Sequence, residues 1–325
     1  MTVPRYLLSV LRSVRRIALA LISIPVVLFL LCIPVWLYGL YLQRGIEERI
    51  PAPGRMVDIG THRLHLDCAG DGPPTIVLNA GGGTWSASWN AVRELLSDDI
   101  RVCTYDRAGM GWSDRGPNPR NAEVISDELA RLLEGAGEPP PYVMVGVSFG
   151  GTIALAFVEK NLDQVAGLVA VETPTYDFMQ WRLDTRFILS GRLRTFATPV
   201  LAVVVTAFSV VVPIDGSYFG VDTEYDRRAF DDAGFRSRIM SMVIRELPWG
   251  EGSKLSQNFG TLPVVVIEGA NSEFGSPEWT AAQQQLLSLS TNSKHFLVQS
   301  AGHGVPQQAP EAIVEGIDWI LANTN

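Results

Sequence analysis

Cysteine is scarce, with three in 325 residues, and that excludes a fold held together by a disulfide framework. Histidine is little commoner, at four, so any chemistry that needs an imidazole has few candidates. There is no internal repeat and no low-complexity tract. Positive charge is in deficit, with 26 Lys and Arg against 34 Asp and Glu, a net of −8. Residues 50–325 are more lopsided still, with 20 basic and 32 acidic side chains. An acidic body of this kind is a poor partner for nucleic acid.

Charge is missing altogether from Ile17 to Leu42, IALALISIPVVLFLLCIPVWLYGLYL. As a helix this run would be about 39 Å long at 1.5 Å per residue, against a hydrocarbon core of about 30 Å. Pro25 and Pro34 are tolerable in such a span. The run is too long for a cleavable signal peptide, and no A-x-A-like pattern follows it. Leu31 before Cys32 argues against a lipoprotein cleavage site. The expectation is an uncleaved transmembrane anchor, with the lipid bilayer as its partner. Arg5, Arg12, Arg15 and Arg16 precede it, whereas Arg44 and Arg49 follow. The positive-inside rule then predicts a single-pass protein with a cytoplasmic N-terminus and an extracytoplasmic domain.

From about residue 55 short apolar runs recur: RMVDIG, HRLHLDC, TIVLNA, RVCTYD, YVMVGV, AGLVAV, LPVVVIEG and KHFLVQS. Helix-period segments lie between several of them, among them NAEVISDELARLLEGAG with its terminal glycine. The first two runs predict an antiparallel hairpin. The later ones are continuous, as in strands buried on both faces of a mostly parallel sheet. The layout is α/β. It breaks once, over about ninety residues between Glu172 and Leu262, a length that predicts an inserted subdomain. Inside it VLAVVVTAFSVVV, residues 200–212, would cover only about 20 Å as a helix, too short to span. It is expected to be a buried or membrane-facing element of the insert. The expected divisions are a basic cytoplasmic segment 1–16, a span 17–42, a core 50–172 and 262–325, and a cap 173–261.

Ser148 stands in Gly146-Val147-Ser148-Phe149-Gly150, between the run PYVMVG and the helical pattern TIALAFVEK. A serine at a strand-to-helix turn is held in a tight backbone with its hydroxyl exposed, and the helix N-terminus beneath favours negative charge. Such a serine needs a base. His62 and His65 belong to the early hairpin and His295 to the last run. His303, in SAGHGVP, follows the last strand and precedes a helix opened by Pro310, and there it can reach over Ser148. The glycines of LNAGGGTW offer backbone N–H groups to an oxyanion. A phosphate loop would end in Lys-Ser/Thr, which this one lacks.

These segments, GVSFGG, YDRAGMGWSD (Tyr105 to Asp114), NAGGG and AGHGVP, resemble those of the α/β-hydrolase fold family, in the subgroup with a cap inserted after the sixth strand. The resemblance covers residue 55 to the end. It implies an eight-stranded, mostly parallel sheet flanked by helices, with a helical cap and the predicted span in front. The implied chemistry is a Ser-His-acid triad with Ser148 as nucleophile, His303 as base and the amides of Gly82 and Phe149 as oxyanion donors. Tyr105-Asp106-Arg107 resembles the family's structural turn after the fourth strand. The sequence departs from the pattern twice. Ala80-Gly81 stands where a His-Gly pair is usual, and Ser272 stands near the usual place of the acid. Glu172, after the sixth strand as in haloalkane dehalogenases, is preferred as the acid over Glu273, with Glu268 third; Glu172 as a mere cap of the next helix is the competing reading. Cys68 and Cys103, otherwise two buried thiols, would face each other if strands two and four are neighbours, and a disulfide would then be permitted.

The expected protein is a membrane-anchored serine hydrolase of a carboxylic ester or lipid-like acyl substrate, with neither metal nor cofactor implied. The lipid-like element rests on the apolar insert, with Trp181, Phe187 and Phe196. A small-peptide peptidase is the alternative, followed by a non-catalytic binding module. Perhydrolysis would use the same residues.

Overall fold

The computed structural model describes residues 5–96, 99–179, 191–212, 223–246 and 258–324. All eight predicted strands form: β1 (Arg55–Asp58), β2 (Arg63–Ala69), β3 (Thr75–Asn79), β4 (Val102–Tyr105), β5 (Tyr142–Val147), β6 (Val165–Val171), β7 (Val264–Gly269) and β8 (Ser293–Val298). They make one sheet in the order β1-β2-β4-β3-β5-β6-β7-β8. The hairpin β1–β2 and the pair β2–β4 are antiparallel, and every other pairing is parallel. Strands β5 and β6 are buried along their whole length. That is why their sequences run apolar without alternation. At the sheet's edge β8 alternates between exposed and half-buried, so its apolar run departs from the two-sided burial expected of it.

Helices cover both faces. Long helices are α1 (Arg5–Leu42), α2 (Ala122–Ala136), α3 (Phe149–Lys160), α4 (Gly191–Val211), α5 (Glu224–Asp231), α6 (Ala233–Glu246), α7 (Pro277–Leu287) and α8 (Pro310–Asn323). On one face Leu129, Leu132 and Leu133 of α2, Phe157 and Val158 of α3 and Leu286 of α7 pack against β3, β4 and β6. On the other, Ile313, Ile317 and Ile320 of α8 join Trp89 and Val92 over β3, β5 and β7. The periodic segment at 121–137 is capped as its sequence predicts. The Asn121 side chain accepts from Val124 N–H, and Gly137 ends the helix at φ 71°.

A helical cap is inserted between β6 and β7 and includes α4, α5 and α6. Its floor is a third apolar cluster, in which Phe230, Phe235 and Ile239 meet Trp85, Met110 and Trp112 of the core and Ile46 of the N-terminal segment. The 200–212 stretch lies mostly in α4. Thr206, Ala207 and Ser209 form a buried stripe, while Val200, Leu201, Val204, Phe208 and Val211 are exposed. The stretch is neither wholly buried nor a span.

The expected transmembrane anchor over 17–42 is corrected. Among the described residues no helix is long and apolar enough to cross a membrane. The single-pass topology, the bilayer partner and the extracytoplasmic placement derived from it lose their basis. The apolar run is not bounded at residue 17 but belongs to a helix that also contains Arg12, Arg15 and Arg16. Its C-terminal turns are used for packing on the cap. Gly39 lies so close to Val210 and Ser237 that a Cβ would be 2.9 Å from Val210 Cγ2. Just beyond α1, Gln43 donates to Ser237 Oγ at 2.9 Å, and Arg49 forks onto Asp232 at 3.0 and 3.2 Å.

Cys68 and Cys103 lie directly opposite each other on β2 and β4 and are joined in a disulfide. The reading of two free thiols is therefore corrected. Strand pairing across the sheet brings together residues 35 apart in sequence.

Candidate active site

Strand β3 leads away to β4 on one side, and β5 leads away to β6 on the other. The chain order therefore reverses between β3 and β5, and the crevice outside their C-terminal ends is where such sheets bind ligands. The loop 80–84 leaves β3 there, and Ser148 leaves β5 beside it. Ser148 has φ 53° and ψ −122° and precedes the first turn of α3 without a capping hydrogen bond from its side chain. Glycines permit the turn. A Cβ on Gly146 would strike the backbone of Gly150, and one on Gly150 would strike the carbonyl oxygens of Asn79 and Ala80. The Ser148 N–H donates to Val171 O at 2.9 Å, tying the turn to β6.

Glu172 follows β6 at φ 46° and is fully buried. Among the described residues, Ser148 and Glu172 are the non-glycines held at positive φ. Strain of this kind persists only where surrounding contacts enforce it, and it gathers at functional sites. The Glu172 carboxylate accepts three hydrogen bonds. Gly269 N–H reaches Oε1 at 2.8 Å, while the Ser272 hydroxyl and His303 Nδ1 both reach Oε2, at 2.6 and 2.9 Å. With Nδ1 donating to the carboxylate, Nε2 of the neutral ring is left as an acceptor. The His303 ring is wedged by Phe274, edge-on at 4.6 Å between centroids.

Ser148, His303 and Gly82 line one cavity of about 670 Å³. Ser148 and His303 share that space without a direct hydrogen bond among the described side chains; serine–base contacts are often loose before substrate binds. Phe149 is buried directly after Ser148, at the start of α3. The three acid candidates separate in space. Glu172 meets His303, Glu273 lines the cavity, and Glu268 pairs with His295 at 3.2 Å. Burial pushes the Glu268 carboxyl up, against the opposing pull of His295. Trp181 and Phe187 lie outside the described residues, as does the Phe196 side chain.

Two parts of this neighbourhood escape a reading of the sequence. Ser272, which stands near the usual place of the acid, donates instead to the buried Glu172. Asp106 and Arg107, which resemble a structural turn, are buried charges beneath the 80–84 loop. Asp106 accepts from His65 Nδ1 at 2.8 Å and from the N–H groups of Ser86 and Trp112 at 2.8 and 3.0 Å. Burial alone would raise its carboxyl, but His65 and the two backbone donors outweigh burial and hold it below the usual carboxylate range. A charged pair directly after an apolar strand is the signal that could have found them. Among the described residues Cys68, Cys103 and Glu138 are grouped like metal ligands. Both sulfurs are spent in the disulfide, and Glu138 is engaged by Arg101 and Arg55.

Residues 74–211 match the model of a family described as alpha/beta hydrolase fold. An uncharacterised protein of Bacillus subtilis, YqjL, is 36% identical over 242 residues, covering 74% of this chain and 80% of its own length. A probable transporter of Hormonema carpetanum, efuK, is 38% identical over 128 residues, or 37% of this chain. The chain spans 18% of that protein, and 55% of an uncharacterised Schizosaccharomyces pombe protein that is 27% identical over 303 residues, 81% of this chain. Among solved structures, a thermophilic esterase from Thermogutta terrifontis superposes with a TM-score of 0.57 at 22% identity, covering 84% of this chain and all of that one. A Bacillus megaterium epoxide hydrolase gives 0.62 at 18%, covering 82% and 100%. At such identities these two speak for the fold alone. The chain belongs to the α/β-hydrolase fold family, with a helical cap inserted after the sixth strand.

Proposed function

We propose that this chain is a serine hydrolase that cleaves a carboxylic ester through an acyl-enzyme. The observation that carries the reading is the His303–Glu172 pair opening onto the same cavity as a serine held at a strained strand-to-helix turn. Ser148 Oγ attacks the acyl carbon and His303 Nε2 takes its proton. The charge that develops on the carbonyl oxygen is received by the amides of Gly82 and Phe149. His303 then returns the proton to the departing alkoxide, and a water activated the same way releases the acid. Glu172 keeps the imidazole in the required tautomer and offsets its charge. The core is assigned to 50–172 and 262–325 and the cap to 173–261. An epoxide hydrolase or dehalogenase mechanism would ask for a carboxylate where Ser148 stands.

The described lining includes Thr84, Ser88, Asn271, Ser300, Gln307 and Gln308. Val147, Phe274 and Pro306 stand beside them, and Thr84, Ser88, Asn271, Gln307 and Gln308 are already hydrogen-bonded within the protein, so the lining can accept apolar as well as polar acyl groups. One observation supports a second reading: Glu273 also lines the cavity. A carboxylate at that place suits a substrate ammonium, as on the N-terminus of a small peptide.

The test is labelling with a fluorophosphonate, mapped by mass spectrometry, beside turnover of p-nitrophenyl acetate, p-nitrophenyl butyrate and an aminoacyl anilide. Labelling at Ser148, its loss in S148A and ester turnover are expected. Turnover of the anilide alone would transfer the assignment to the peptidase, and absence of any Ser148 adduct in folded protein would end both.

A further inference from the structure

Arg107 follows β4 and is 2% exposed. Its Nη1 donates to Ala80 O at 2.6 Å, and its Nη2 donates to Gly81 O at 2.9 Å and Thr84 O at 3.4 Å. Its guanidinium carbon stands 5.6 Å from the centre of the Phe149 ring. A guanidinium is costly to bring out of water, and this one is directed at the main chain of one loop and the side chain that follows Ser148. That loop contains three successive glycines, Gly81 to Gly83, which have no side chains with which to anchor their own peptide planes.

The carbonyl of Gly81 and the N–H of Gly82 belong to a single peptide group. A hydrogen bond received at the oxygen draws electron density from the amide and makes the N–H at its other end a stronger donor. A charged donor does this more than a neutral one. Gly81 O also accepts from Thr84 N–H at 3.2 Å and Thr84 Oγ1 at 3.0 Å, so three donors converge on it. The far side of the loop is held by Asp106, whose Oδ1 takes the N–H of Ser86. Given the oxyanion roles proposed for Gly82 and Phe149, on which the role of Arg107 depends, we infer that Arg107 is a positioning residue that orients and polarises the Gly81–Gly82 peptide and braces Phe149. One buried cation thereby prepares both oxyanion donors before substrate arrives. It acts through the peptide and touches neither substrate nor Ser148.

A residue that only filled space would affect folding and leave the transition state alone. A preorganising one must affect transition-state binding selectively. The experiment compares wild type, R107Q and R107K for ester kinetics and for affinity toward phenylboronic acid. That compound forms an anionic tetrahedral adduct with a reactive serine. Each value is scaled by the folded fraction from thermal melts. R107Q is expected to lose about tenfold to a hundredfold in kcat and the same factor in boronate affinity, with KM within about twofold. R107K, which keeps the charge and can reach one carbonyl, recovers part of both. Unchanged boronate affinity in folded R107Q would overturn the inference, as would losses that fall on KM alone. Should neither variant fold, the unmutated protein supplies the measurement: an NMR coupling across the bond from Arg107 Nη2 to the Gly81 carbonyl carbon is expected, and its absence overturns the inference. A wild type that hydrolyses no ester and takes no label at Ser148 sinks the serine-hydrolase reading itself. A wild type that does both while R107Q keeps full boronate affinity sinks only the role of Arg107.

Discussion

At Glu172 one carboxylate answers to three donors, and only one of them, His303, is titratable. E172Q would present an amide N–H to Nδ1 and favour the wrong tautomer. The expected result is a fall in kcat of about 10³- to 10⁴-fold with little change in KM, read by steady-state ester kinetics. E268Q, which breaks the pair with His295 and removes a neighbouring charge but no hydrogen bond of Glu172, serves as the comparison. A larger fall in E273Q than in E172Q would move the acid role to Glu273. Asp106 carries a prediction about pH. Its folded pKa lies below its ordinary value, so the stability it contributes is present above about pH 4 and is lost as pH drops through the lower, folded value. Urea unfolding of wild type across pH 7 to 3 should show that acid limb. D106N should be weaker by about 3–5 kcal/mol at pH 7, as for a broken buried pair, and its limb shallower.

Between elements, the turn joining β5 to α3 depends on backbone approach more than on any side chain. G150A would drive a methyl group into the carbonyl oxygens of Asn79, fixed by the pairing of β3, and of Ala80, held by Arg107. A cost of at least about 3 kcal/mol is expected. G137A is the comparison: φ is also positive, but nothing lies within 4 Å of the added carbon. It should cost only about 1–2 kcal/mol of backbone strain. Urea midpoints of the two variants measure the difference. Strands β2 and β4 are tied in another way. The disulfide closes a loop of 35 residues, which corresponds to about 3–4 kcal/mol taken from the unfolded state. Dithiothreitol should shift the wild-type midpoint by that amount and leave C68S/C103S unmoved. A wild type insensitive to reductant would mean that the sulfurs are not joined.

Across the whole molecule, the N-terminal segment, the cap and the core share one apolar cluster. Ile46 is 1% exposed and packs where Phe235 and Ile239 of the cap meet Trp85 and Trp112 of the core. The cap floor is therefore held from outside the hydrolase core as well as from within it. I46A should cost about 3 kcal/mol, and its effect should be regional. Hydrogen exchange is expected to speed up in α5 and α6 while β5 and β6 keep their protection. Equal acceleration in all four would show that the cap has no separate tie to the N-terminal segment.

The strands and the residues of the candidate site were legible from sequence because they rest on local patterns. Continuous apolar runs report burial on both faces, and glycine spacing around Ser148 reports a backbone that admits no other residue. Order along the chain was enough to bring His303 to the crevice and to rank Glu172 ahead of Glu273 and Glu268, but not to show which carboxylate His303 meets. That meeting depends on the turn after β6, which holds Glu172 at a positive φ that no sequence pattern announces. Tertiary structure alone decided the Cys68–Cys103 bond, because strand register is a long-range matter. It alone turned Asp106 and Arg107 from a turn into the support of a loop. The uncharged run at 17–42 marks the other limit. Its sequence shows apolarity, but what an apolar surface packs against is settled only by the neighbours that folding brings to it, and here Val210 and Ser237 of the cap claim its C-terminal turns.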